Sequence, residues 1–600
     1  MIRFWLEKTW VQIAALLALV AAMVVYWGFI FDFGYTFDWS VLFTVNQTYG
    51  IHLGMSLLDG LVVTVQISLI SSAAALALGT AFGLARLSDF GPLRWLATFY
   101  VEFFRNTPLL VQLFFWYFAF PMVLPMEART WVFDHDFEFW CATIGLSVYT
   151  GSFMAEVIRA GLQSIPRGLL EASYSSGLSY LQVLWRIILP VAFRAIIPPL
   201  GSEFLNNMKN SSLAMVVGVA EITWQSQQIE SLTFRGFEAT TAATVLYLTL
   251  SLGIAAILNA VNQKLKVDAT DRRTVGERAL TAVCRPMGWC MECCGRPMRR
   301  YARRRYAARL AQGAALTYSP FVAAWKRAQS AGVRAGVLAS KTVFLGGLVY
   351  LLWLVAKGLA AFDYGVIRDN LRLLLIWRFP GGSENELFWG LGGLSYSVLM
   401  AVMAISVSFF IGLAVGIGRT SRNLLFKVPS VIYIEVIRGN PLIIVIFWVY
   451  FFIPVLTGAF FDVFWSATVA LTLFTGAYLG EIVRSGIQNL PSGQFEAAFS
   501  TGLSSWQTLR RIILPQALKQ MIPAIVGQFI AIFKDTSLAY VIGVLELTFV
   551  AQGLNNRLMV HPFEIYTTVA VLYFVCCYAM SCYARRLEAR LSPEKMHLKM

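Results

Sequence analysis

The sequence contains the same series of short motifs twice, in the same order. Residues 102–110 (EFFRNTPLL) recur as residues 435–443 (EVIRGNPLI), 333 positions later (435 against 102). Residues 155–163 (AEVIRAGLQ) recur as residues 480–488 (GEIVRSGIQ), 325 positions later (481 against 156). Chance does not give ordered motifs at nearly constant spacing, so the chain is predicted to consist of two copies of one structural unit.

The two offsets differ, which predicts an insertion of eight residues in the first copy (333 against 325). We place it within residues 118–140, where Pro121 and Pro125 stand near several acidic residues, a composition typical of loops. The insertion makes the copies unequal between their second and third apolar segments.

Composition indicates a membrane protein. Of the 600 residues, 58% are hydrophobic and 14% are charged, whereas soluble domains carry about 25% charged residues. The sequence repeatedly shows apolar stretches of about 20 residues, which are long enough to cross a bilayer as helices. Intrinsic disorder, a secreted disulfide scaffold and a nucleic-acid-binding domain are therefore disfavoured, and an all-α integral membrane protein is predicted.

Each copy is predicted to contain five apolar spans, with one added span before each copy. The spans of the first copy lie near residues 57–84, 96–120, 139–158, 197–220 and 240–262. Those of the second copy lie near residues 391–418, 428–453, 464–483, 522–545 and 564–584. The added spans are residues 10–31 and 342–362. Together they predict about twelve transmembrane helices in two parallel-repeat units.

The domain organisation follows from these spans. The predicted segments are an added helix with an external segment (1–56), the first unit (57–263), a basic Cys-containing linker (264–341), a second added helix with an external segment (342–390) and the second unit (391–600). Direct fusion of two five-span units would insert the second unit in the opposite orientation in the membrane. The added span at residues 342–362 restores its orientation.

The positive charge is concentrated in the linker. The formal net charge is +15, and residues 264–341 contain 17 Lys or Arg but only 4 Asp or Glu. Because Lys and Arg favour cytoplasmic loops, we place this linker, the basic loops at residues 159–194 and 484–519, and both termini on the cytoplasmic side of the membrane. The linker either contacts anionic lipid head groups or serves only as a topology anchor.

The residue inventory predicts neither a bound cofactor nor an enzyme. Four of the eight cysteines, Cys284, Cys290, Cys293 and Cys294, lie in the linker. They could bind zinc or stay reduced in a cytoplasmic loop, and no second Cys/His pair follows at finger-like spacing. Residues 335–342 come nearest to a phosphate-binding loop but have neither glycine of the G-x-x-x-x-G-K-[ST] motif.

Each basic loop carries a further repeated motif. Residues 166–177 (PRGLLEASYSSG) correspond to residues 491–502 (PSGQFEAAFSTG). The pattern predicts a short helix after a Pro-x-Gly turn, ended by a glycine that can adopt a positive φ. A second amphipathic segment is predicted to end at Pro190 or Pro515, where the membrane resumes. An exposed helix with a fixed acidic residue suits docking into a groove on a partner.

These loops resemble the E-A-A-x-x-x-G loop of permease subunits of ATP-binding-cassette importers. The flanking F-R-x-x-P, A-E-x-x-R-x-G and K-D-T-S-L patterns resemble the polar amino acid branch of that family. The resemblance covers both copies and implies two permeases of the glutamate/aspartate type fused in tandem. It also implies a separate periplasmic or lipid-anchored binding protein that delivers the amino acid, and two separate ATPase subunits that hydrolyse ATP.

In this family the loop transmits ATP-driven closure to the membrane helices. The resemblance implies contacts with the two ATPase subunits through Glu171, Ala172, Gly177, Glu496, Ala497, Ala498 and Gly502. The second copy fits the family pattern closely, whereas the first departs from it at Leu169, Ser173 and Asn210.

Ionisable residues within the spans are candidates for function, because a charge at the centre of a bilayer costs about 2.5–3.5 kcal/mol on insertion scales. The candidates are Arg105, Glu156, Lys209, Arg438, Glu481 and Lys534. They form either a translocation path for a zwitterion or a structural network, for example of Arg–Glu pairs that lock helices together. Pro108 and Pro441, which follow the two arginines, are predicted to bend or break their helices.

Two other functions remain open from the sequence. An ion-coupled secondary amino acid transporter can also have parallel repeats, and it would transport without an ATPase or a binding protein. A membrane scaffold without transport would leave the duplicated intramembrane charges unexplained.

Overall fold

The computed structural model describes residues 35–46, 50–178, 180–265, 320–376, 391–458 and 461–591, with scattered positions between residues 12 and 22. Most of the first added helix (residues 10–31), the greater part of the basic linker with its four cysteines, and both termini lie outside the described residues. The predictions for those segments stay predictions.

The first copy is helical apart from a small hairpin near its start. A 3-10 helix at Trp39–Phe43 is followed by antiparallel strands β1 (Val45–Asn46) and β2 (Ile51–His52). The helices are α1 (Leu53–Ala85), α2 (Gly91–Asn106), α3 (Leu109–Phe114), α4 (Phe120–Val123), α5 (Met126–Phe133), α6 (Phe137–Gln163), α7 (Arg167–Ser175), α8 (Tyr180–Val183), α9 (Leu189–Asn210), α10 (Ile222–Thr233) and α11 (Gly236–Leu265). Non-α turns lie at Phe115–Ala119, Leu184–Ile188 and Ser211–Val217.

The second copy repeats this order after one long added helix. The helices are α12 (Pro320–Ala360), α13 (Tyr364–Leu375), α14 (Gly393–Thr420), α15 (Leu424–Gly439), α16 (Leu442–Thr457), α17 (Val463–Gln488), α18 (Ser492–Ser500), α19 (Ser505–Thr508), α20 (Leu514–Asp535), α21 (Leu547–Leu558) and α22 (Pro562–Leu591). Non-α turns lie at Leu509–Ile513 and Thr536–Ile542. The predicted boundary between linker and added span, at residue 341, falls inside α12, so the end of the linker is helical.

The described residues contain nine helices that are long and apolar enough to cross a membrane. Two bent pairs, α2 with the segment after it and α15 with α16, raise the number to eleven when each pair counts as one span. The all-α membrane fold is thus confirmed, whereas the predicted number of twelve is not, because the remaining predicted span at residues 10–31 is largely outside the description.

Glycines allow the first and third spans of each copy to pack closely. A Cβ atom on Gly79 of α1 would lie 2.6 Å from the Cβ atom of Met154 on α6. In the second copy, a Cβ atom on Gly416 of α14 would lie 2.5 Å from the Cβ atom of Val483 on α17. Small residues at such positions let membrane helices approach closely. The same close packing of the first span against the third thus occurs in both copies.

The eight-residue insertion is found where it was predicted. The first copy places the extra helix α5 between its second and third spans. In the second copy α16 ends at Thr457 and α17 begins at Val463, which leaves no room for such a helix. The insertion therefore changes one end of the first copy and leaves its spans unaltered.

The chain divides into two compact parts, which do not coincide with the two copies. The larger one comprises Met1–Ser88, Arg94–Gly253 and Tyr364–Met600, and so includes most of both copies. The smaller one comprises Asp89–Leu93 and Ile254–Asp363. Within the smaller part, Phe344 of α12 packs edge-on against Phe90, with 5.8 Å between the ring centroids.

Candidate functional site between the two copies

The second span of each copy is broken at its proline, as predicted. The axes of α2 and the helical segment after Pro108 differ by 109°, and those of α15 and the segment after Pro441 differ by 113°. A proline has no N–H and clashes with the carbonyl four residues earlier. The last carbonyls of α2 and α15 therefore lack partners within their own helices.

A lysine from the opposite copy meets each of these open helix ends. The Lys534 Nζ atom donates a hydrogen bond to the carbonyl oxygen of Arg105, at 2.9 Å. The Lys209 Nζ atom likewise donates to the carbonyl oxygen of Arg438. Both lysines are buried, with 8% of Lys209 and 7% of Lys534 exposed. Equivalent residues make reciprocal contacts, so the two copies are related by an approximate twofold axis.

The helices α7 and α18, called the loop helices below, lie at the same end of the bundle. In the second copy, the chain crosses once through α20 and returns through α22, so the end of α22 shares a side with α18. Arg585 near that end lies 3.9 Å from Glu102 of the first copy. Glu102 lies 3.9 Å from Arg86, which also pairs with Glu156 near the end of α6, just before α7. The repeat is therefore parallel, as predicted.

A cavity of about 330 Å³ lies between the two copies. Side chains that line it in the first copy include Tyr149, Phe153, Glu203, Asn206, Lys209 and Asn210. Those in the second copy include Asn440, Phe474, Tyr478, Gln528, Lys534 and Asp535. This central cavity thus combines aromatic surface with two lysine ammonium groups and two carboxyl groups. Such a mixture can hold a small polar molecule that carries both signs of charge.

The lining of the central cavity is not symmetric. Glu203 of the first copy corresponds to Gln528 of the second, and Asn210 corresponds to Asp535, at the 325-residue offset. Each copy therefore contributes one carboxyl group, but from a different position of its fourth span. The two ends of a bound molecule would accordingly meet different chemistry.

The two arginines lie over aromatic rings next to the cavity. The Arg105 guanidinium is 5.2 Å from the ring centroid of Phe153, and that of Arg438 is 5.1 Å from that of Tyr478. The Nε atoms of both arginines are buried and have no hydrogen-bond partner within the described part of the chain. The ring faces therefore provide part of the environment of these partly buried cations.

The two glutamates belong to ion pairs and do not line the cavity. Glu156 accepts a hydrogen bond from the Arg86 Nη1 atom at 2.5 Å and also pairs with Arg159. These contacts join α1 to α6 at the end that carries the loop helix.

The second copy repeats this ion-pair network and extends it by one arginine. Glu481 lies 3.3 Å from Arg419, 2.6 Å from Arg484 and 3.8 Å from Arg438. Glu481 thus joins α14 and α15 to α17. The six ionisable candidates consequently divide into two cavity lysines, two arginines over rings and two glutamates in interhelical pairs.

The loop helices have the predicted form. Gly177 and Gly502 have φ values of +75° and +79°, and each follows the end of its helix. The Leu178 N–H bonds to the Ser173 carbonyl and the Leu503 N–H to the Ala498 carbonyl, as in a Schellman motif. The glycines are required at these positions because L side chains rarely adopt such a φ.

The exposed faces of the loop helices differ from the prediction at one residue. Glu171, Ala172, Glu496 and Ala497 are exposed, which suits a docking surface. Ala498 is only 2% exposed and its methyl group packs inside the chain, which does not favour direct contact with a partner; that contact stays a prediction.

The predicted stops at Pro190 and Pro515 are wrong. A turn of wider π-type helix precedes each proline, at Leu184–Ile188 and Leu509–Ile513, and the helix continues into the membrane span. A π-type turn adds one residue to the ring and so accommodates a proline that would clash in a regular α-helix.

Several cavity and surface residues were missed in the sequence. Glu203 lies within a predicted span, but the repeat does not identify it, because its counterpart in the second copy is the uncharged Gln528. Tyr174 and Phe499 occupy equivalent positions of the loop helices and are 49% and 47% exposed. The recurrence of an aromatic residue at one motif position is the signal that could have found them.

Comparison with known proteins identifies the family. Residues 73–267 and 374–593 each match the family described as binding-protein-dependent transport system inner membrane component. The chain therefore belongs to this family and contains its domain twice. The predicted resemblance to permease subunits of ATP-binding-cassette importers is confirmed.

Single permeases match one copy at a time. The probable glutamine ABC transporter permease protein GlnM of Bacillus subtilis is 38% identical over 210 residues, which cover 35% of this chain and 93% of that protein. The glutamine transport system permease protein GlnP of Escherichia coli is 36% identical and covers 33% of this chain and 91% of its own length. The glutamate/aspartate import permease protein GltJ of Escherichia coli is 32% identical, with 35% and 87% covered. This chain thus corresponds to two such proteins in tandem.

Proposed function

We propose that this chain supplies both membrane-spanning permease units of an ATP-driven importer for polar amino acids. The observation that carries the proposal is the central cavity, which both copies line with ammonium, carboxyl and aromatic groups. One chain would then supply the pair of permease units that separate subunits supply in a heterodimeric importer.

The substrate that we propose is glutamate, aspartate or one of their amides. The names of the relatives GlnM, GlnP and GltJ give glutamine, glutamate and aspartate as substrates of those proteins. An amino acid is a zwitterion, and the cavity offers cations for its carboxylate. We propose that Glu203 receives the substrate ammonium. Its carboxyl group lines the cavity, whereas its counterpart in the second copy, Gln528, is an uncharged amide.

Two separate ATPase subunits would dock on the loop helices. Exposed groups for these contacts are Glu171 and Ala172 on α7 and Glu496 and Ala497 on α18, while Gly177 and Gly502 end the two helices. Because both loop helices lie at one end of the bundle, a dimeric ATPase can contact them together. That end would face the cytoplasm, and ATP would be hydrolysed on the partner subunits.

A binding protein would deliver the amino acid at the opposite end. The chain itself would remain a multi-pass protein of the inner membrane with both termini in the cytoplasm. ATP-driven closure of the two ATPase subunits would move the loop helices and switch the central cavity from one side to the other.

Reconstitution tests this proposal. Proteoliposomes that contain the chain with its ATPase and binding protein should take up radiolabelled glutamate, aspartate or an amide only when ATP is supplied. The chain alone should give no uptake under a sodium or proton gradient. Uptake by the chain alone in such a gradient would contradict the proposal and support the ion-coupled alternative.

A further inference from the structure

We propose that Lys209 and Lys534 act as crossed latches between the two copies. Each ammonium group holds the open end of the broken span of the opposite copy, and both bonds must break and re-form when the cavity switches sides. This inference rests on the proposed transport function and assigns the two lysines a positioning role within it.

The open helix ends explain why a cation is needed at each break. At Pro108 and Pro441 the helical hydrogen bonding stops, so the last carbonyls of α2 and α15 lack intrahelical donors. A helix C-terminus also carries partial negative charge and favours a nearby cation. The bonds from Lys534 to the Arg105 carbonyl and from Lys209 to the Arg438 carbonyl meet both requirements.

Each lysine is itself fixed at the end of a helix. Lys209 lies in the last turn of α9 and Lys534 in the last turn of α20, where the α-helix changes into a 3-10 helix. Ser212 donates to the carbonyl of Lys209 at 2.6 Å, and Ser537 donates to the carbonyl of Lys534 at 2.7 Å. One ammonium group thus links the C-terminal ends of two helices that belong to different copies.

The Lys534 ammonium group contacts three groups of the opposite copy. Besides the Arg105 carbonyl, its ammonium is 5.4 Å from the ring centroid of Phe153 and 5.7 Å from that of Tyr149. A buried ammonium that loses its partners must become hydrated or meet another anion. Because both lysines line the central cavity, movement of the copies that opens the cavity offers this hydration and breaks the latches.

One latch is connected to a loop helix through a short chain of contacts. Arg438 supplies the carbonyl for Lys209, and its guanidinium lies 3.8 Å from Glu481 on α17. The helix α17 ends at Gln488, four residues before α18 begins at Ser492. Among the described residues no corresponding ion pair joins Arg105 to Glu156. Movement of the second loop helix therefore reaches the Lys209 latch more directly than movement of the first reaches the Lys534 latch.

The test measures the ATPase rate of the reconstituted complex with and without substrate-loaded binding protein. Lys209→Met with Lys534→Met removes both latches, and Lys357→Met, on the exposed face of α12, is the control. With the latches gone, we expect basal ATPase activity to rise, stimulation to disappear and amino acids transported per ATP to fall about tenfold, within the usual range of coupling between sites. Lys357→Met should behave as wild type.

The single variants distinguish this role from a purely structural one. Lys209→Met should reduce stimulation more than Lys534→Met, and the charge-preserving Lys209→Arg should restore most of it. The inference is overturned if the double variant assembles and keeps wild-type stimulation. If the double variant does not assemble, equal or reversed effects of the single variants overturn it. A wild-type complex without stimulated ATPase activity contradicts the proposed function itself, and the latches with it.

Discussion

The variant that carries both Glu171→Arg and Glu496→Arg is expected to be purified without ATPase subunits and to support no amino acid uptake. Both carboxylates are exposed on the loop helices, and a like charge placed against a complementary site costs several kcal/mol. A cost of about 3 kcal/mol at each site corresponds to a loss of more than about 100-fold in affinity. Quantification of ATPase co-purified with the tagged chain measures the effect.

The matched control reverses an exposed charge at the opposite end of the bundle. Glu127 lies on α5, the helix of the insertion, and is exposed. Glu127→Arg should leave the recovered amount of ATPase unchanged. Each loop-helix variant alone should retain part of it, since one docking site remains. Equal recovery by wild type and the double variant would show that the loop helices are not the docking sites.

Glu203→Gln is expected to weaken substrate binding in the central cavity by about 10- to 100-fold, because a hydrogen bond to a charged group contributes about 1.5–3 kcal/mol. The amide keeps the size of the side chain but lacks the negative charge that would hold the substrate ammonium. Uptake at a series of substrate concentrations, with saturating binding protein, separates weaker binding from a slower transport step.

The second copy provides the control for this substitution. Gln528 is the counterpart of Glu203 and already lines the cavity as an amide, so Gln528→Asn should change uptake much less than Glu203→Gln does. Wild-type uptake by the Glu203→Gln variant would remove Glu203 from the proposed substrate site and leave the rest of the cavity to account for recognition.

Local features of the chain could be predicted from the sequence because their causes lie within a few residues. The breaks at Pro108 and Pro441 follow from the missing proline N–H. The ends of the loop helices follow from glycines that tolerate a positive φ. The two-copy organisation is likewise present in the sequence itself, and the family matches confirm it.

Contacts between the copies could not be predicted in this way. Lys209 and the carbonyl of Arg438 are 229 positions apart, and Lys534 and that of Arg105 are 429 apart, so only the assembled bundle brings them together. The burial of Ala498 is a further example, because the motif identifies the helix but not which side of it packs inward. Glu203 could not be identified for a different reason: the repeat identifies residues that both copies share, and the counterpart of Glu203 is Gln528.

Site-directed labelling of the loop helices tests the account most directly. Ser175 and Ser500 occupy equivalent exposed positions at the ends of α7 and α18. Each is replaced by cysteine in a variant that lacks the eight native cysteines. Both positions should react with a membrane-impermeant thiol reagent in inside-out vesicles, and neither position should react in intact cells. Reaction of the two positions from opposite sides of the membrane would contradict the account, because no dimeric ATPase could then bind both loop helices.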